Sequence, residues 1–168
     1  MGAESVRSAL CFCHSVIALI QRVRSASVHV GEELLGEIGP GLLAMIGVAL
    51  GDEMSHADRL LQRVLDFRVF ADAAGRMNRS LRTLQGGLLL VPQFTLVAET
   101  RHGNRPGFSR AAPPAEAAAL YAHLLARARA MHGQVASGRF GATMQVSLIN
   151  DGPVTFWLQS PGSPIEEP

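Results

Sequence analysis

At 168 residues the chain has the length of one domain and enough material for one well-formed core. Hydrophobic residues make up 48%, which excludes wholesale disorder, and a formal net charge of +1 excludes the strong basic field of a tight nucleic-acid clamp. All 15 basic residues are arginines, so a Schiff-base lysine, a P-loop lysine and a lysine general base are excluded.

Residues 1–15 read as an extension, disordered or wrongly included at the start. They hold both cysteines, Cys11 and Cys13, so the body of the chain offers no thiol nucleophile. The apolar stretch 9–20 after Arg7 has the outline of a secretory signal, with Ser25-Ala26-Ser27 as a cleavage site. His14 interrupts it, however, and Arg22 and Arg24 follow at once. No apolar run reaches the roughly 20 residues that span a bilayer. A cytoplasmic protein without membrane contact is expected.

Ile17–Val30 alternates over much of its length and is rich in β-branched residues, which predicts a long strand. Gly31-Glu32-Glu33 turns into a second strand, Leu34–Ile38, and Gly39-Pro40-Gly41 turns into a third. The third, Leu42–Leu50, is a continuous apolar run, as in a strand buried on both faces. Asp52 to Arg68 is predicted as a helix, capped by Ser55 with Asp58 as its capping-box partner. Ala57, Leu60, Leu61, Val64 and Leu65 form its apolar face, with Arg59 and Arg63 on the wet side. Val69-Phe70 is a short strand, Ala71–Ser80 a loop, and Leu88–Val97 another apolar strand opened by Gly86-Gly87. Arg101–Pro114 is irregular and long enough to suggest function. A second helix starts at Pro113-Pro114, runs to about Met131, and carries Ala117, Leu120, Leu124, Ala128 and Met131 on one face, with Gly133 as its stop. Met144–Asn150 and Val154–Leu158 are the last strands, joined by Asp151-Gly152-Pro153. The expected fold is a single α/β domain over residues 16–159, mixed sheet layers covered by two helices, with a disordered tail from 160 to 168.

The usual chemical motifs are missing: no GxSxG, no HExxH, no GxGxxG, no GxxxxGK, and no metal spacing among the six histidines. His123 and His132 read as surface or half-buried helix residues. No metal and no cofactor are expected. Two segments stand out locally. Pro92-Gln93-Phe94-Thr95-Leu96 puts a proline inside an apolar strand, which fits either an edge strand with a bulge or a strand distorted to offer backbone N–H groups to a ligand. Asn150-Asp151-Gly152-Pro153-Val154-Thr155 fits either a tight hairpin turn or a Gly-Pro presented at a strand end, where it could line a pocket closely.

Together these segments resemble the bacterial and eukaryotic D-aminoacyl-tRNA deacylases. The matching stretches are Ile17–Val23, Gln93–Leu96, Arg105-Pro106 with Phe108-Ser109, Gly138–Phe140 and Met144–Gln159. Family members usually begin with methionine where this chain has Val16, which is why residues 1–15 read as a mis-assigned start.

The resemblance implies a homodimer that hydrolyses the ester between a D-amino acid, or glycine, and the 3′-terminal adenosine of tRNA. It implies a cis peptide at Gly152-Pro153, inserted into the partner's pocket to leave no room for an L side chain, with Arg22 locking that motif across the interface. It implies catalysis assisted by the RNA's 2′-hydroxyl, with backbone N–H groups of Gln93, Phe94 and Thr95 polarising the ester and Thr95 positioning rather than attacking. Arg101, Arg105 and Arg110 are candidates for salt-sensitive tRNA contact, or else plain solvated surface. One departure stands out: Pro92 occupies the place of the family's serine, removing a hydroxyl and an N–H, which could loosen chiral rejection. A relaxed deacylase that also clears an L-ester, and a non-catalytic module that binds the tRNA end, are the alternatives.

Overall fold

The computed structural model describes residues 15–160. Cys11, Cys13 and the bulk of the expected extension and tail lie outside the described residues. Ser15 and Ser160 flank the expected domain and are themselves buried, and Ser160 N–H donates to Val16 O at 3.1 Å.

Strand β1 (Ile17–Val30) organises the sheet. One edge is shared between β3 (Gly41–Gly47), which pairs with its first half, and β2 (Glu33–Ile38), which pairs with its second half. The other edge carries β8 (Gln145–Gln159), antiparallel along nearly its full length. β6 (Gly87–Pro92) runs parallel to β3, and β7 (Val135–Ser137), which the sequence reading missed, runs parallel to β6. The sheet curls until β2 meets β7, where a Cβ on Gly36 would lie 3.0 Å from Ala136 Cβ. The result is nearly a barrel.

The continuous apolar runs of β3 and β6 divide by the strand's period of two. Leu42, Ala44, Ile46, Leu88 and Leu90 face the helices, whereas Leu43, Leu89 and Val91 fill the concave side with Val23, Ala26 and Val28. The β3–β6 pair approaches closely at Gly41 and Gly87, where a Cβ on Gly41 would fall 1.9 Å from Gly87 O. No other residue fits that crossing.

Helix α1 (Met54–Asp66) buries the five predicted apolar residues, but it is not capped by Ser55. Glu53 is the N-cap, and its N–H donates to His56 Nδ1 at 3.1 Å, which leaves Ser55 inside the first turn. The polar stretch after β4 (Arg68–Ala71) is not all loop: it forms β5 (Met77–Ser80), paired with β4, and a third, short helix α2 (Leu81–Leu84). Ser80 Oγ caps α2 by accepting from Thr83 N–H, and Gln85 ends it in the left-handed region at φ 57°. Helix α3 (Pro114–Met131) packs on α1, with Asp58 accepting from Arg127 and bonded to His123 at 3.0 Å. Its end is set by His132, an extended cap whose Nε2 lies 2.6 Å from Gly86 O, rather than by a left-handed glycine. Among the described residues no helix is long and apolar enough to cross a membrane.

Two expected strands are corrected. β6 stops at Pro92, and Phe94–Val97 is a 3-10 turn rather than strand. Pro92 sits on an interior strand, not an edge. Alternation along β6 sends the Leu88 N–H toward β7 and the Gln93 N–H toward β3, so the ring nitrogen of Pro92 faces the β7 side. β7 pairs only as far as Leu90, so no ladder bond is lost there. The second correction is at the C-terminus. Met144–Asn150 and Val154–Leu158 are not a hairpin but one strand, since both halves pair with β1 in the same direction. Between the pairs Gln21↔Thr155 and Val23↔Asn150, β1 spends one residue, Arg22, against four on β8, residues 151 to 154. The Gly-Pro segment is therefore a wide bulge held out from a continuous ladder.

Candidate active site

The bulge is held chiefly by the side chains of Asn150 and Arg22. Asn150 Oδ1 accepts the Val154 N–H at 2.7 Å, closing residues 150–154 into a loop. Arg22, the residue opposite the bulge, donates from Nε to Asp151 O at 2.8 Å and from Nη1 to Val69 O at 2.6 Å, which ties the loop to β4. Its side chain is only 17% exposed, so both bonds are largely shielded from water. The Asp151 carboxylate takes a longer contact from Arg22 Nε at 3.6 Å and one from Arg24 Nε at 3.4 Å. Arg22 thus holds the loop of its own chain. The Gly152–Pro153 peptide is cis, Gly152 lies at φ 150°, and both residues are exposed.

The second element is the turn after Pro92. Gln93 N–H donates to Ile46 O at 2.7 Å, the last ladder bond of β6. The chain then tightens, with Leu96 N–H on Gln93 O and Ala98 N–H on Thr95 O. The first N–H groups of such a turn have no partner within it. Among the described residues the N–H groups of Phe94 and Thr95 find no acceptor. Gln93 Nε2 donates to Thr95 Oγ1, which orients both side chains.

Gln93 and Phe94 border an open cleft of about 790 Å³, within the range of small-molecule sites. Pro92, Gln93 and Phe94 line it, and so does the segment Phe140–Met144. Phe94, 56% exposed, packs against Phe108 with ring centroids 5.1 Å apart and planes tilted by 53°, which brings the long irregular loop into the site. Sequence reasoning missed Phe108, Phe140 and Met144 as lining residues and Asn150 as a loop-builder. The sequence signal was the glycine pair 138 and 141: Gly141 lies at φ 75°, and a Cβ on Gly138 would meet Met144 Sδ at 2.6 Å, so the turn folds on Met144.

Arg101 and Arg110 lie apart from that cleft and line a second one of about 440 Å³, with Thr95 and Trp157. Arg105 is exposed and lines neither. Glu99 shares the second cleft. The Arg101 N–H it accepts at 2.8 Å, helped by the charges of Arg101 and Arg110, holds its carboxyl below the usual carboxylate range. Among the described residues no cluster of three or more His, Cys, Asp or Glu could hold a metal ion.

The chain is similar to known proteins over this whole region. The D-Tyr-tRNA(Tyr) deacylase family matches residues 19–159. A D-aminoacyl-tRNA deacylase of Stutzerimonas stutzeri is 61% identical over 142 residues, 84% of this chain and 98% of that protein. The protein of that name from Azotobacter vinelandii is 61% identical over 143 residues, 85% of this chain and 99% of its own length. Among solved structures, the c-Myc DNA Unwinding Element Binding Protein aligns with a TM-score of 0.83 at 38% identity, over 87% of this chain and 99% of that one. A probable eukaryotic D-amino acid tRNA deacylase shares the fold at 16% identity, with a TM-score of 0.76 over 86% of this chain and 99% of that one. The chain therefore belongs to the D-Tyr-tRNA(Tyr) deacylase family of enzymes.

Proposed function

We propose that the protein hydrolyses the ester linking a D-amino acid, or glycine, to the 3′-terminal adenosine of tRNA, acting as a homodimer. The observation that carries this reading is the pair of unclaimed N–H groups on consecutive residues, Phe94, which lines the larger cleft, and Thr95, which lines the smaller one. An ester carbonyl placed there receives two preorganised donors, and these strengthen as the oxygen gains charge. Water adds to the carbonyl carbon, its proton passing by way of the adenosine 2′-hydroxyl. The bond to O3′ then breaks, releasing free tRNA and the amino acid. No side-chain base is needed for so activated an ester.

The exposed Gly152-Pro153 loop of one subunit enters the cleft of the other and fills the space an L side chain would need. Arg22 positions that loop. Rejection is by shape, and a D side chain points away from the loop.

The test is hydrolysis of D-Tyr-tRNA, L-Tyr-tRNA and glycyl-tRNA(Ala). Loss of the D- and glycyl esters with the L-ester spared is the expected result. Loss of the L-ester as well gives the relaxed deacylase, which Pro92 in the cleft wall would favour, and binding without turnover gives a tRNA-end module. The mechanism carries its own prediction. Thr95→Ala keeps kcat within about tenfold, whereas a terminal 2′-deoxyadenosine lowers it by about a hundredfold or more, both read in single-turnover assays. A Thr95→Ala enzyme at background rate would make Thr95 the nucleophile.

A further inference from the structure

The two clefts are neighbours across a single layer of chain. At three places consecutive residues face opposite ways: Ala49 lines the smaller cleft and Leu50 the larger, Thr95 the smaller and Phe94 the larger, Arg110 the smaller and Ala111 the larger. The layer is held by Leu50 N–H on Arg110 O at 2.8 Å, Ala112 N–H on Val48 O at 3.1 Å and the Ala49–Ala111 bridge. Consecutive Cα atoms are about 3.8 Å apart, so the linings of the two clefts adjoin at these three places.

The lining of the smaller cleft differs in kind. It holds two guanidinium groups, Arg101 and Arg110, against one carboxylate, Glu99, and presents an indole, Trp157, that is 48% exposed. Among the described residues neither arginine forms an ion pair. Glu99 is turned back on the Arg101 N–H. An exposed aromatic face beside unpaired arginines is the chemistry that binds a base and its phosphate.

We infer that the smaller cleft is the subsite for the nucleotide immediately 5′ of the terminal adenosine, with its base on Trp157 and its phosphate held by Arg101 and Arg110. This rests on the deacylase reading and takes the terminal adenosine to sit in the larger cleft. It assigns two of the three candidate tRNA-binding arginines to one site and leaves Arg105 outside it.

The experiment compares kcat/KM on three D-tyrosyl esters: adenosine, cytidylyl-(3′→5′)-adenosine, and tRNA. In the wild-type protein the dinucleotide is expected to exceed the mononucleoside by about tenfold. In Trp157→Ala and in Arg101→Ala/Arg110→Ala that ratio falls to about one, and in the arginine variant the salt dependence of the dinucleotide reaction flattens. A wild-type ratio of one, or a ratio that survives both variants, overturns the subsite. So does tRNA being hydrolysed while neither short ester is, because the affinity then lies elsewhere on the tRNA. Failure to hydrolyse any of the three removes the deacylase reading and the subsite with it.

Discussion

Gly152→Ala is expected to cost about 1–3 kcal/mol of stability and about a hundredfold in turnover of D-Tyr-tRNA. Gly152 lies at φ 150°, where L side chains are strained. Its added Cβ would fall 2.6 Å from Val154 Cγ2 and 2.9 Å from Val154 N. The side chain could swing away, but the backbone nitrogen is fixed by its bond to Asn150 Oδ1. The Arg22 Nη2 group, 3.3 Å from the same Cβ, closes the third side. Residues 151 to 154 must therefore move as a unit, and it is their outline that is proposed to exclude the L side chain from the partner's cleft. The stability change is read by urea denaturation at fixed protein concentration, since the midpoint of the proposed dimer would depend on it. The functional change is read as the ratio of D- to L-Tyr-tRNA hydrolysis, which should fall along with the rate. A variant with wild-type rate and ratio would mean that the loop takes no part in the site.

The long strand, the turns and the two large helices were legible because each is written in a local period. β1 alternates by two, α1 repeats its apolar residues at helical spacing, and the fully apolar runs of β3 and β6 announce burial on both faces. What could not be read is set by distant partners. Asn150 to Thr155 has the composition of a turn, and only its partner β1 shows that the chain does not reverse there. Pro92 looked like an edge or bulge residue. It is tolerated on an interior strand because β7, three residues long, stops before reaching it. The short elements of 71–84 depend on single side chains, such as Asp72 accepting from Ala74 and Arg76 N–H and Ser80 capping α2, and such bonds leave no period in the sequence. The site was half legible for the same reason. Gln93, Phe94 and Thr95 form one short run, whereas Phe140–Met144, which line the same cleft as Gln93 and Phe94, lie about fifty positions further along the chain.

Arg22 separates holding the loop from merely pairing charge. Arg22→Ala leaves the carbonyls of Asp151 and Val69 without their charged donor in a largely shielded position, a loss of about 2–3 kcal/mol. Arg24→Ala removes the other partner of Asp151, but that side chain is 76% exposed, and the expected change is under about 1 kcal/mol. Arg22→Lys keeps the charge and loses the fork. One ammonium cannot reach both carbonyls, so it should recover less than half of the alanine variant's deficit. If charge on Asp151 were what mattered, the lysine variant would behave as wild type and Arg24→Ala would be costly. The ratio of D- to L-ester hydrolysis should follow the same order, falling about tenfold or more in Arg22→Ala, less in Arg22→Lys, and hardly at all in Arg24→Ala. Stability lost in Arg22→Ala with the D-to-L ratio intact would make Arg22 a brace for β4 and β8 with no part in selectivity. A ratio that collapses in step with the two lost bonds makes it the residue that positions the Gly-Pro loop.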